Sequence, residues 1–251
     1  MNTEYNEMTS DSQVGKYLYI WIDILDFGDF VKKGDYNTYE KMINLVNSFR
    51  NKFSKIEITP EILIPISDGI VVVFELNKIE LIFETIAKTQ LEFILQEQEF
   101  LRGGFAVGTI AYEKYKEIEK NPTPDKDNKK QTIFLVSNGL VDAYNIESNL
   151  ISYPIIGTTI ETIKNINSDI NYFNLKKING KNGGLLYVID FLGYLEEAEK
   201  EKFEKIICEK LKQFSDNEKI LQKYIWLLKY YETKFNKKGK LCNEYLKDVL
   251  L

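Results

Sequence analysis

The chain has 251 residues, 44% of them hydrophobic and 28% charged, with a net charge of −5; this is the balance of a soluble globular protein and not that of a general nucleic-acid binder. It contains no histidine, which excludes histidine triads, histidine metal ligands and histidine general bases and leaves carboxylates as the obvious ligands for a metal. Cys208 and Cys242 form no CxxC and give neither a disulfide scaffold nor a zinc site, and no apolar run approaches the ~18–20 residues of a membrane span.

The first residues, MNTEYNEMTSDSQ, are polar, lack a signal-peptide core and read as a frayed tail of a cytoplasmic protein. Residues 17–25 of YLYIWIDILDFGDF are almost wholly apolar, the composition of a buried central strand. Asp23 sits near the end of that run and Asp26 follows in a tight turn. A carboxylate there either ends the strand and caps the next segment or is neutralised by a cation. Asn37 or Thr38 caps a helix reaching about Phe53, with Met42, Ile43, Val46 and Phe49 at helical spacing.

Glu61–Glu75 is a hairpin in which ILIPI and IVVVF flank a Ser67-Asp68-Gly69 turn. Asp68 is a turn residue, or it rises beside Asp23; two such carboxylates suit Mg²⁺ or Mn²⁺ bound to phosphate, since these hard cations take oxygen ligands. A second helix spans about 78–98, and FLRGGFAVGTIAY is a strand whose glycines permit close approach of another backbone or a ligand. The order β-α-β-β-α-β is the ferredoxin-like split core, an α+β fold with both helices on one face of an antiparallel sheet.

Residues 113–131 are charged, carry two prolines and read as a solvated loop, with a dimerisation arm or lid as the alternative. TIFLVS is a strand, Asn138 opens a helix through about Glu147, ISYPIIGT is a strand, and a short helix lies near 159–166. NYFNLKK and GGLLYVIDF form the last hairpin. From Leu192 the chain turns helical and charged, and two segments form a helical hairpin, either packed on the core or bracing a dimer. The organisation expected is a tail at 1–15, one domain at 16–192 and a helical extension at 193–251.

D-I-x-x-F at 23–27, S-D-G at 67–69, L-R-G-G-F-A-V-G at 101–108 and N-G-L-V-D-A-Y-N-I-E at 138–147 occur in that order. This ordered set resembles the class III nucleotidyl cyclase homology domain, and within it the bacterial pyrimidine cyclases of Pycsar antiphage defence. The resemblance covers roughly residues 16–190. It implies two Mn²⁺ or Mg²⁺ ions held by the catalytic Asp23 and Asp68 with the Ile24 backbone. It implies a phosphate-binding turn at Ile24–Gly28, including Phe27 and Gly28, with Asp26 only a turn residue. It matches Arg102 to an arginine that contacts the polyphosphate, against the plain reading of a surface ion pair, and suggests Lys176, Lys177 or Lys181 as further phosphate contacts. It implies a homodimer with active sites at the interface, a nucleoside triphosphate substrate and a separate cyclic-nucleotide-responsive effector, with no nucleic acid or membrane partner.

Two departures from the family pattern stand out. Val141 and Asn145 occupy the places of a ribose-orienting asparagine and a transition-state arginine, and a neutral amide cannot supply a guanidinium's charge. Ile64 and Phe134 occupy the base-reading places, and apolar side chains cannot pair a purine edge. The expectation is cyclisation of a pyrimidine triphosphate, UTP before CTP. The alternatives are an inactive cyclase-like regulatory module and an oligonucleotide-synthesising palm, which the single acid of the SDG turn disfavours.

Overall fold

The computed structural model describes residues 16–28, 37–109, 111–116, 131–166, 175–181 and 183–236; of residues 37–38, 111–116 and 131–136 it describes the backbone alone. The apolar run at the start becomes strand β1 (Lys16–Ile24), buried along nearly its whole length. Helix α1 (Asn37–Lys55) leads to the hairpin β2 (Ile62–Ile66) and β3 (Gly69–Glu75), then α2 (Ile79–Glu97) and β4 (Leu101–Thr109). The β-α-β-β-α-β core is therefore present, with strand order β2-β3-β1-β4 and antiparallel pairing throughout.

The two faces of β1 have different tasks, as the alternation of side chains requires. Leu18 and Ile20 lie in register with Phe74 and Phe105, which meet Phe53 of α1 and Phe83 of α2 at ring separations of 4.7 and 4.8 Å. Tyr17, Tyr19, Trp21 and Asp23 face the other way. Opposite them on β4 stand Gly108, Ala106, Gly104 and Arg102. Helix α3 (Asn138–Asn145) packs into this row of small residues. A Cβ on Gly104 would lie 2.1 Å from the Ala143 carbonyl oxygen, so only glycine admits the helix so close. Ser137 caps α3, accepting from the Gly139 N–H at 3.1 Å and donating to the Thr109 carbonyl at 2.8 Å.

The expected loop at 113–131 is partly a strand ribbon. β5 (Ala111–Lys116) and β6 (Gln131–Val136) pair antiparallel in a sheet of their own, each residue of one strand in register with one of the other; residues 117–130 lie outside the described residues. The helix after Asn138 is α-helical through Asn145, close to the expected end, and continues into a wider π-type turn, Ile146–Leu150. The strand in ISYPIIGT shortens to β7 (Ile156–Thr158), parallel to β4; α4 (Ile160–Ile166) follows. β8 (Leu175–Asn179) and β9 (Leu185–Ile189) complete a seven-stranded sheet in the order β2-β3-β1-β4-β7-β9-β8.

Helices α5 (Lys200–Gln213) and α6 (Glu218–Phe235) share the main core with the sheet. Phe203 and Tyr224 pack edge-on to Phe100, the residue before β4, at 6.2 and 5.5 Å, and Trp226 stacks on Tyr153 at 4.3 Å. Glu99, 3% exposed, takes Lys41 of α1 at 2.6 Å and Lys210 of α5 at 2.7 Å. This places the helical pair at the end of the sheet where β1 stops and β4 starts. Cys208 on α5 is disulfide-bonded, a single bond rather than a scaffold; the other cysteine of the sequence, Cys242, lies outside the described residues.

Candidate active site

The site forms where β1 ends. Asp23 is opposite Gly69 on one side and Arg102 on the other. Asp68 occupies the turn before Gly69, half-buried, and its carbonyl accepts the Ile24 N–H at 3.1 Å. The hairpin turn thus sits against the end of the central strand, and the two acids of the sequence motifs come from adjoining strand ends. Ser67 takes a φ of +54°, which lets the chain reverse within the turn.

Asp23 is 8% exposed. Burial raises its pKa above the ordinary carboxylate value, the Arg102 guanidinium opposes that rise, and Asp68 adds to it. Arg102 grips the carboxylate with Nη2 at 2.9 Å from Oδ2 and Nε at 3.5 Å from Oδ1. Arg102 is an inward-facing partner of the site, not a surface ion pair. Burial works against its charge, but Asp23 and Glu147 outweigh burial and hold its pKa above the usual arginine value.

Glu147 is the residue that sequence reasoning missed. It lies in the π-type turn after α3, 2% exposed, and pairs with the same Arg102 Nη2. Its pKa is pushed up to about 7 by burial first and then by the charges of Asp23 and Asp68, against Arg102. Nothing in the sequence singles it out: Glu147 follows Ala143 by four residues, but the close approach of Ala143 to Gly104, two positions from Arg102, is seen only in the structure.

Asp26, read as a simple turn residue, is also engaged. It adopts a φ of +64°, pairs with Lys223 Nζ of α6 at 2.5 Å and accepts from the Tyr224 hydroxyl at 3.5 Å. Phe27 and Gly28 start a helical turn beyond it, and a Cβ on Gly28 would meet nothing within 4 Å.

The remaining expected residues are spread over the fold. Ile64 is half-buried and in register with Val71, which pairs with Trp21, so it shares the Asp23 face two strands away. Phe134 lies on β6 opposite Glu113, and its side chain is outside the described residues. Asn145 is exposed at the end of α3 and Val141 is 57% exposed. Lys176 is away from Asp23: it stands on the far edge strand with Nζ 4.2 Å from the Tyr230 ring centre, and burial lowers its pKa. Lys177 extends over Tyr187 at 5.5 Å, and Lys181 gives its backbone N–H to Leu150.

Four acids, Asp23, Asp26, Asp68 and Glu147, surround two bases, Arg102 and Lys223. This excess of negative charge in a buried setting favours a bound cation. Among the described residues no group of three or more acidic, cysteine or histidine side chains converges as a ready-made metal site. The hard donors at hand are two carboxylates and the Ile24 backbone, which fit an ion whose other ligands are phosphate and water.

No protein-family model matches the sequence, and no curated protein matches it. Solved structures do. One bacterial light-regulated adenylyl cyclase aligns at a TM-score of 0.53 and 13% identity over 74% of this chain and 54% of the other. A second such structure aligns at 0.51 and 12% identity over 78% and 98%. The chain thus spans about half the length of the first and nearly all of the second. A guanylyl cyclase, Cya2, aligns at 0.47 and 13% identity over 71% and 93%. The architecture is the mixed α+β fold found in class III nucleotide cyclase domains, with a palm-like core.

Proposed function

We propose that the protein is a nucleotide cyclase that converts a pyrimidine nucleoside triphosphate, UTP before CTP, to its 3′,5′-cyclic monophosphate and pyrophosphate. The observation that carries this reading is the placement of Asp23 and Asp68 on adjoining strand ends, joined by the Ile24–Asp68 backbone bond and flanked by Arg102. The cyclase fold supports it.

In the reaction the ribose 3′-oxygen bonds to the α-phosphorus and pyrophosphate leaves. Negative charge spreads over the phosphate oxygens, so positioning and cationic stabilisation do most of the work. Asp23, Asp68 and the Ile24 backbone would hold Mn²⁺ or Mg²⁺, which supplies that stabilisation when bound. The Phe27 and Gly28 backbone takes phosphate oxygens. With a cation on Asp23, Glu147 would keep the Arg102 fork beside the strand end and leave other N–H groups of Arg102 for phosphate. Ile64 gives the base an apolar wall.

A homodimer is part of the proposal. Val141, Tyr144 and Ile66 are 57%, 49% and 41% exposed, on the face where Asp23 opens. An apolar face of this kind suits a second copy, which would bring Asn145 to the site across the interface. A cytoplasmic location, a role as an antiphage signal and a separate cyclic-nucleotide-responsive effector complete the reading. Among the described residues no helix is long and apolar enough to cross a membrane.

The second reading is an inactive nucleotide-binding module. Two observations favour it: Asn145 carries no charge, and Arg102 is already engaged by two carboxylates. One experiment separates the two readings. Purified protein is incubated separately with ATP, GTP, CTP and UTP plus Mn²⁺, with Asp23→Ala alongside. A cyclic monophosphate from UTP or CTP that is absent in the variant supports the enzyme. No product from any triphosphate, from a protein that binds nucleotide, supports the module.

A further inference from the structure

The proposed phosphate-binding turn is held from the far end of the chain. Ile24 and Leu25 are fixed by backbone bonds to Asp68 and Phe100, at 3.1 and 2.8 Å. The next residue, Asp26, has no such backbone partner among the described residues and adopts a left-handed conformation that costs a non-glycine residue energy. Its carboxylate is 5% exposed and meets Lys223, which lies 197 positions later and is 15% exposed. Replacing a buried ion pair by apolar groups is often neutral for stability, so such a pair is better explained by the geometry it imposes than by the energy it adds.

Lys223 arrives at Asp26 on a rigid support. The neighbouring Tyr224 donates to the other carboxylate oxygen at 3.5 Å, packs on Phe100 at 5.5 Å and stacks on Phe214 at 5.7 Å. Trp226 stacks on Tyr153 one turn further along. α6 therefore cannot shift without moving the start of β4, and the lysine is presented to the turn by the whole helical pair.

We infer that Lys223 is a positioning residue of the nucleotide site: through Asp26 it sets the Ile24–Gly28 turn so that its backbone receives the triphosphate, which makes the C-terminal helical pair part of the catalytic unit. This rests on the cyclase reading above. The role is indirect, so Lys223 and Asp26 act as one unit. Removing either releases the turn, and removing both does no further harm.

The test is a calorimetric titration of the full chain with inorganic tripolyphosphate and Mn²⁺, run beside turnover. Variants are Lys223→Met, Lys223→Arg, Asp26→Asn and the Met/Asn double variant. Asparagine tolerates the left-handed conformation, so Asp26→Asn keeps the backbone and removes the charge. Lys223→Met and Asp26→Asn are each expected to weaken binding about tenfold or more, with the double variant no worse than the weaker single and Lys223→Arg close to the parent. In turnover the same changes raise KM more than they lower kcat. Unchanged tripolyphosphate binding in a folded Lys223→Met protein overturns the inference while leaving the cyclase reading intact. So do additive losses in the double variant, which would mean that Lys223 touches phosphate by itself. A parent that neither binds tripolyphosphate nor forms product overturns both.

Discussion

Two buried ionic clusters lie three residues apart in sequence at the start of β4, centred on Glu99 and Arg102, and they are built on opposite principles. Below the start of β4, Glu99 sits between Lys41 and Lys210, one acid with two bases, at 2.6 and 2.7 Å. At the second residue of β4, Arg102 sits between Asp23 and Glu147, one base with two acids, and Asp68 adds a third. The first cluster carries no excess of negative charge, its single acid being met by two bases, and it ties α1 and α5 to the core. The second holds excess negative charge; burial first, and then the neighbouring carboxylates, raise the pKa values of Asp23 and Glu147. A fold that needed only stability would not keep the second arrangement. On the proposed reading, this unbalanced buried charge is where a cation from outside would bind.

The contrast predicts which substitutions harm activity and which harm stability. The largest effect belongs to Asp68→Ala, which is expected to lower turnover by about 10³-fold while leaving the fold and its oligomeric state intact. Near-parental turnover in a folded variant would remove the metal assignment. Lys210→Met should behave in the opposite way. Removing Lys210 leaves the buried Glu99 carboxylate to Lys41 alone and is expected to lower stability by about 1–3 kcal/mol in urea unfolding, with turnover per folded molecule unchanged. A variant as stable as the parent would mean that Lys41 alone suffices.

Gly104→Ala comes next. Its methyl group would press on the Ala143 carbonyl and push α3 off the sheet, carrying Glu147 away from Arg102. A loss of about 1–3 kcal/mol is expected, together with a fall in turnover larger than unfolding explains.

The smallest effect is one of pH. Glu147 has an ordinary pKa of 4.5 and a folded value of about 7. Between these values the folded chain keeps a proton that the unfolded chain has lost, so stability falls as pH rises through that window. Asp23 adds a slope of the same sign. Glu147→Gln should flatten the dependence of Tm on pH between about pH 5 and pH 7 in the presence of a chelator, and parallel curves would contradict the assignment.

How much of this was legible beforehand depends on range. β1, the Ser67-Asp68-Gly69 hairpin, α2 and the β-α-β-β-α-β order follow from local patterns of apolar residues and turn chemistry, and the structure has them all. The acids at 23 and 68 were visible because each ends an apolar run. Glu147 was not, because a π-type turn sets its direction and the glycines of another strand set its depth. Lys223 lay beyond reach for a plainer reason: one of several lysines in a charged helix gives no sign of which will be buried against a turn 197 residues earlier. Lys176 shows the converse, since its place in a hairpin says nothing of Tyr230, the ring it covers.

The most direct test of the central claim, that the unbalanced cluster is built for a cation, is a calorimetric titration of the full chain with Mn²⁺, parent against Asp68→Asn. The account predicts saturable binding by the parent and a loss of about tenfold or more in the variant, with both proteins folded. Equal binding by the two, or none by the parent, would contradict it.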